Sequence, residues 1–598
     1  MLHVGIMGTL CVLLILISPA MAERSNIQVG GNNKGAIVTG NNNNTTVIHG
    51  STPEEVDQII QTLMEKHRQD RKIDQENFKA LREQDRETIK ALRAVVEALS
   101  RRAVQPDATP EIKEALEKLK VGDRKAAEEL FAQILAQKQN IGDKYLKEAA
   151  EAARHLGALA FLDNTETALE YYRTATKLDP ENTTGWNQLG QLLYRTGYWG
   201  EAITAFEKLL AIGRKNNDKS VIAMATANLG VVYGVSGQPA WAEEMHRQAQ
   251  EANTELGRRI SAAKNIGNLG FTYRKRGKLK KAEEAHKRAL AIFENLGNRK
   301  GIASQLSNLG QVYRLKGDLR KAKSMHQRAL TIERELKRKE GVADELSNLA
   351  VIYMFEGNLI DAERMRRTSL KIEKYLGRKE GIASDFGALG QIHLMRGQWN
   401  QAEKMILNSL SLNRQLGKKE GIAIQLSSLG LVYRQQGKLV LAEKMHKESL
   451  ALSEEIGRKQ GIAAELSNLG AIYSSKNNFD LAEDMHNRAK AIYIEMTNKK
   501  GVATELGHLG VIQEMKGDLN RAEETLQRSL TLFREIGAKN EIAKVLANLG
   551  FIFRQKGSLE ITCKNWKQSK GIFQKIGMHK EANIVQTWIS EAACPSEN

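Results

Sequence analysis

The chain has 598 residues, of which 41% are hydrophobic and 5% aromatic, with 7 prolines, 3 cysteines and a formal net charge of +18. That length excludes a single compact core, and the scarcity of proline and aromatic residues points to helix almost throughout. The positive excess favours acidic partners, anionic envelope surfaces or nucleic acid.

Residues 1–22 read as an export signal, an apolar run ending in the small-x-small triplet Ala20-Met21-Ala22. Cleavage there predicts a periplasmic or extracellular protein. Retention would leave residues 4–22 as a membrane anchor, since they are nearly long enough to span a bilayer. Residues 23–52 alternate short β-prone runs with Gly/Asn turns, giving either a flexible spacer or a small β-cap that is stable only on association. Residues 53–105 predict one long polar helix, with Val56, Ile60 and Leu63 opening an apolar seam that Phe78, Leu81, Leu92, Val95 and Leu99 resume. A coiled coil making a homo-oligomer through residues 53–103 and a solvated helical linker are the two readings.

Three short-period helical hairpins follow over residues 108–217, the third opening with Trp186, Leu189 and Gly190 and continuing with Ala202 and Phe206. From residue 218 to 577 the chain repeats every forty residues: Gly230, Gly270, Gly310, Gly390, Gly430, Gly470, Gly510 and Gly550 keep the interval, with Ala350 in the one vacant place, so nine copies are present. A fixed period of this length is the mark of a solenoid, in which each unit buries its apolar face by stacking on its neighbours. Residues 578–598 complete the chain as a capping helix and tail, with Trp588 placed to cover the open end.

Trp-x-x-Leu-Gly followed by spaced Ala, aromatic and Pro resembles the tetratricopeptide repeat, with one departure in that the expected Tyr has slid one place to Tyr194. The forty-residue copies resemble the longer subclass seen in kinesin light chains, Pins-type adaptors and many bacterial multi-repeat proteins. The resemblance covers residues from about 108 to 590. It implies an all-α fold, a right-handed α-solenoid of about twelve helical hairpins, preceded by the long helix and the Asn/Gly-rich segment.

Within copy three, Ile302, Leu306, Leu309 and Val312 share one face of the first helix. Leu319, Ala322, Met325, Ala329, Leu330 and Ile332 mark the apolar side of the second. Gly317 closes the first helix, and a second glycine (Gly297, Gly377, Gly417, Gly457) closes the second helix in most copies. Copy three has Lys337 there, which predicts an atypical hinge. Basic turns such as Arg378-Lys379 and Lys418-Lys419 recur each period, either as helix-dipole partners or as an anion-binding edge.

In related arrays the first helices line an inner groove, where asparagines hold a peptide main chain. The resemblance carries that role to Asn228, Asn268, Asn308, Asn348, Asn468 and Asn548, while Ala388, Ser428 and His508 interrupt the series. An amide offers both donors and an acceptor to an extended backbone. Arg274, Arg314, Arg434 and Arg554 recur further along the same helix, and guanidinium groups suit carboxylates. Both series are candidate peptide-binding residues for an extended acidic partner. Small residues beside the asparagines, such as Gly267, Ser307 and Gly387, leave room for a ligand or for helix packing.

A third series, His246, His286, His326, His446 and His486, lies where the family places an aromatic core residue. Copies stack about 10 Å apart, too far for like histidines to share an ion, so packing is the reading, with pH sensing the residual one. Cys563 stands 14 residues before Gly577 and Cys594 stands 17 after it, so a hairpin turning there brings them within about one helical turn; if the chain is exported, a disulfide clamping the cap is one reading and two free thiols are the other.

No Gly-rich phosphate loop, metal-spaced Cys/His cluster or nucleophile with a base is present, which predicts a non-catalytic scaffold without metal or cofactor. The leading expectation is capture of an acidic peptide or partner tail in the groove. The alternatives are polyanion or envelope-surface binding along the basic turns, and structural assembly through residues 25–103. Nucleic acid fits poorly, because base-reading residues are not recognisable and the leader argues for export.

Overall fold

The computed structural model describes residues 53–70, 93, 96, 97, 99, 100, 103, 110–138, 143–161 and 164–595. Residues 1–52, carrying the leader and the Asn/Gly-rich segment, lie outside the described residues, as do 71–92 of the expected long helix. Among the described residues all regular structure is helical, and the chain divides into two compact units, one ending at Arg378 and the other beginning at Lys379. Each is an all-α solenoid.

The first unit opens with a helix, Pro53–Asp70. Here the structure corrects the single long helix. Asp57 and Arg93 form an ion pair, whereas 36 residues of continuous helix would hold them about 54 Å apart. Val56, Ile60 and Leu63 meet Leu99 in the same core as Ile112 and Leu116. These four members of the expected seam are thus covered by their own chain, while Phe78, Leu81, Leu92 and Val95 lie outside the described residues. Helical periodicity reveals an apolar stripe, but not whose stripe it will meet.

Three hairpins follow: Pro110–Lys120 with Arg124–Lys138, Asp143–Ala160 with Thr165–Leu178, and Thr183–Thr196 with Trp199–Lys215. Copies one to four complete this unit: Lys219–Val235 with Pro239–Glu255, Arg259–Lys275 with Leu279–Asn295, Arg299–Leu315 with Leu319–Glu335, and Lys339–Phe355 with Leu359–Tyr375.

The second unit holds copies five to nine: Lys379–Met395 with Trp399–Gln415, Lys419–Gln435 with Leu439–Glu455, Lys459–Ser475 with Phe479–Glu495, Lys499–Met515 with Leu519–Glu535, and Lys539–Gln555 with Leu559–Lys575. The final helix is His579–Glu591. In each copy the two helices are called A and B.

Copy three shows why the unit folds. Ile302, Leu306, Leu309 and Val312 of helix A and Ala322, Ala329, Leu330 and Ile332 of helix B are buried. Each fully buried Leu or Ile is worth roughly 1.5–3 kcal/mol. Gly317 ends helix A with φ 80°. Its N–H reaches the Arg314 carbonyl at 3.0 Å, and Asp318 N–H reaches Tyr313 at 2.9 Å, satisfying carbonyls that the helix end would leave without partners. The Asp318 carboxylate then accepts from Lys321 N–H at 3.0 Å and caps helix B.

Lys337 adopts φ 52°, close to the 60° of Gly297 and 64° of Gly377. Its side chain differs from its neighbours', but the turn does not, so copy three is not a distinct hinge.

The glycine at each forty-residue interval makes room for a side chain of helix B. A Cβ on Gly310 would stand 2.4 Å from His326 Nε2, and one on Gly270 would stand 2.7 Å from His286. Copy four has Ala350 at this place, and the partner position holds Arg366 in place of a ring, wholly buried. In the second unit Ser409, Ser449, Ser529 and Ser569 of helix B donate to the carbonyls of Ala383, Ala423, Ala503 and Ala543 of helix A at 2.7–2.8 Å. These bonds tie the two helices directly together.

At the C-terminal end Trp588 is buried, with its ring 4.8 Å from Phe551 and 6.0 Å from Trp566. Cys563 and Cys594 are joined by a disulfide, their Cα atoms 5.6 Å apart.

Candidate functional site

Helices A of successive copies lie side by side, between copies one and two and two and three in the first unit, and between five and six and eight and nine in the second. From residue 304 onward, the helix A positions of copy three that remain open are Ser304, Ser307, Gln311, Arg314 and Leu315, a single stripe. This stripe is the surface that helix A leaves uncovered by its neighbours.

The asparagine series sits beside that stripe, at the seam between neighbouring helices. Asn228, Asn308, Asn348, Asn468 and Asn548 are buried, and Asn268 is partly open. Asn228 Nδ2 donates to Asn187 Oδ1 at 2.9 Å, so one amide of the series is engaged with the helix Thr183–Thr196 of the preceding hairpin. The small residues next to them make room for side chains of the following copy. A Cβ on Gly267 would stand 2.8 Å from Gln305 Nε2, and one on Gly387 would stand 3.0 Å from Gln425 Nε2.

The arginine series divides. Arg434 is half-buried and Arg554 is exposed, its guanidinium 5.9 Å from the Trp566 ring. Arg274 and Arg314 form a pair in the first unit, both half-buried. Among the described residues no carboxylate lies within salt-bridge distance of either, and Arg274 Nε has no hydrogen-bond partner. Burial, reinforced by the charge of Arg314, pulls the Arg274 guanidinium down to about 10, and burial lowers Arg314 as well. Two partly desolvated like charges constitute an electrostatic cost that an anion would relieve.

Apolar groups surround the pair. Arg274 lies 4.9 Å from the Phe271 ring and Arg314 lies 6.0 Å from Phe355, while Leu315 and Phe355 are each 41% exposed. Sequence reasoning missed Phe271, Leu315 and Phe355. Their signal was present: Leu315 and Phe355 occupy the same place in consecutive copies, one residue after the arginine position.

The histidines are core residues. His246, His286, His326, His446 and His486 are all buried. His326, His446 and His486 hydrogen-bond through Nδ1 to Glu345, Glu465 and Glu505 of the next helix A, each at 2.7 Å, and His286 reaches Gln305 at 2.9 Å. They therefore join copies as well as filling them.

The basic turns find partners within the fold. Lys219 pairs with Glu255 at 2.8 Å, Lys419 with Glu455 at 2.5 Å and Lys499 with Glu535 at 2.9 Å, and Arg299 with Glu335 and Lys459 with Glu495 repeat the pattern. Between turns, Lys418 reaches Glu380 at 2.8 Å and Arg458 reaches Glu420 at 3.3 Å. Exposed pairs of this kind are worth at most about 1 kcal/mol each, but they balance the positive edge locally. A stronger junction links copies two and three, where Glu283 accepts from Tyr313 at 2.9 Å and from Lys316 at 2.6 Å.

Family models described as tetratricopeptide repeat match residues 260–335 and 422–495, and residues 161–217. Among solved structures the chain is similar to BtubC (BKLC) from P. vanneervenii, with 24% identity, 37% of this chain and 92% of that chain covered, and a TM-score of 0.34. It is also similar to the apo form of RapI, with 14% identity, 46% and 99% covered, and a TM-score of 0.39. No curated protein matches this chain.

Proposed function

We propose that this chain works as a tetratricopeptide-repeat protein, the family whose models match residues 161–217, 260–335 and 422–495, and that its first unit captures an extended acidic segment of a partner protein on the helix A face of copies two to four. The repeats make the chain a protein-interaction scaffold, a fold whose work is generally non-catalytic. The observation that carries the finer reading is the Arg274 and Arg314 pair, half-buried among Phe271, Leu315 and Phe355 with no carboxylate of the described chain beside it. A ligand with carboxylates next to an apolar side chain would satisfy both chemistries. Asn268, the open member of its series, lies on the same helix as Arg274 and can hold the ligand main chain.

Fluorescence anisotropy with synthetic peptides combining Asp or Glu with Leu or Phe tests this. Arg274→Ala with Arg314→Ala should weaken binding at least tenfold, whereas Arg554→Ala should leave it unchanged. Equal affinity for wild type and the double variant would remove the proposal. We also read the chain as exported: the apolar leader and the Cys563–Cys594 bond both suit an oxidising compartment.

A further inference from the structure

We propose that His486, Glu505 and His508, in copies seven and eight, form a binding site for a divalent late first-row transition-metal ion such as zinc. His486 comes from helix B of copy seven, and Glu505 and His508 from helix A of copy eight. All three are buried, and one ligand atom from each lies within 4.8 Å of the others. His486 Nδ1 is 2.7 Å from Glu505 Oε2, and His508 Nδ1 is 3.7 Å from the same oxygen. Tetrahedral zinc, with bonds of about 2.0–2.1 Å, spaces its ligands about 3.4 Å apart, so the observed separations bracket that value. Two imidazoles and one carboxylate are the donor set of zinc and its neighbours, not of calcium or magnesium, which take oxygen ligands.

Two features set this cluster apart from the other histidine and glutamate pairs. His326 with Glu345 and His446 with Glu465 have the same 2.7 Å contact, but three residues beyond the glutamate they have Asn348 and Asn468. Only copy eight places a histidine there. Secondly, His508 is 9% exposed, and neither of its ring nitrogens has a hydrogen-bond partner. Leaving an imidazole buried in that way is costly; a metal ion would supply the missing partner.

The ring of His486 is oriented for the task. Its Nε2 lies against Gly470, where a Cβ would stand 2.6 Å away, and its Nδ1 faces Glu505. Metal binding would replace the Nδ1 proton that His486 donates to Glu505, and that proton would leave to solvent. A comparison of like positions in adjacent copies overlooks the site, because His486 and His508 belong to different places of the repeat.

The test uses the full chain, stripped with a chelator and titrated with ZnSO4 by calorimetry and with CoCl2 by visible absorption. Wild type should take up one equivalent of zinc at this site and give the intense visible bands of tetrahedral cobalt. His508→Asn, which restores the residue six other copies carry, should fold normally, lose the cobalt bands and bind zinc at least tenfold more weakly. His446→Leu, at a two-residue pair, should bind as wild type. Unchanged cobalt spectrum and zinc affinity in His508→Asn, or no uptake by wild type, would overturn the proposal.

Discussion

A Cβ placed on Gly550 would stand 2.2 Å from Nε1 of Trp566, the indole that donates to the Ala547 carbonyl at 3.0 Å. The glycine of copy nine is therefore a receptacle for a ring. Gly571 lies in the facing helix B with nothing within 4 Å of its Cβ position.

The two glycines should respond oppositely to the same change. Gly550→Ala overpacks the core and should destabilise the protein by about 1–3 kcal/mol, more than the helix gain from losing a glycine. Gly571→Ala should stabilise it by about 0.5–1 kcal/mol. Urea midpoints of both variants check the pair, and equal shifts would refute the receptacle.

Acid should weaken the first unit through its histidines. Burial pushes the His246 imidazole down to about 3, and burial, partly offset by the Gln305 hydrogen bond, brings His286 to about 4. Both stay neutral in the folded chain while their unfolded counterparts take up protons near pH 6.5. Stability contributed by each is complete above pH 6.5 and falls as pH drops towards 4, at about 1.4 kcal/mol per pH unit. In the second unit Glu514 works in the other direction, since burial raises its carboxyl to about 7 and its contribution is lost as pH rises from 4.5 through 7. His246→Leu, copying the residue that copy eight carries at Leu526, should flatten the acid limb of the urea midpoint against pH.

Lys337 holds a left-handed backbone at φ 52°. A non-glycine residue there costs roughly 1–2 kcal/mol. Lys337→Gly should raise thermal stability, less the greater entropy of an unfolded glycine. A melting temperature that falls would show that the Lys337 side chain contributes more than its backbone costs.

Reducing the Cys563–Cys594 bond opens a link between residues 31 apart in sequence, worth roughly 3–4 kcal/mol on the loop-entropy scale. Hydrogen exchange should accelerate in Leu559–Lys575 and His579–Glu591 on reduction, leaving copies one to four unchanged. Uniform acceleration would show the effect was not local.

Much of the fold was legible because periodicity is a direct imprint of packing: Gly310 and His326 recur together since one fills the space the other leaves. The contact of Asp57 with Arg93 was not legible, because an apolar seam looks the same whether it meets its own chain or another. Among the candidate residues, the sequence placed Arg274, Arg314, Asn308 and Asn348 in recurring columns alike, whereas Arg274 and Arg314 are half-buried and Asn308 and Asn348 are buried. A repeat shows which residues share a column, but depth within the column depends on the neighbouring copy. His508 could be read only as an interruption, since its relation to His486 crosses between copies and between columns.

At the arginine place, copies one to four read Gly234, Arg274, Arg314 and Met354. A ligand shifted along the face by one copy in either direction would therefore keep one guanidinium and exchange the other for glycine or methionine. The repeats themselves are nearly interchangeable, yet this pair of charges marks a single alignment among them, and a partner with two suitably spaced acidic groups would dock in phase or lose half its anchorage.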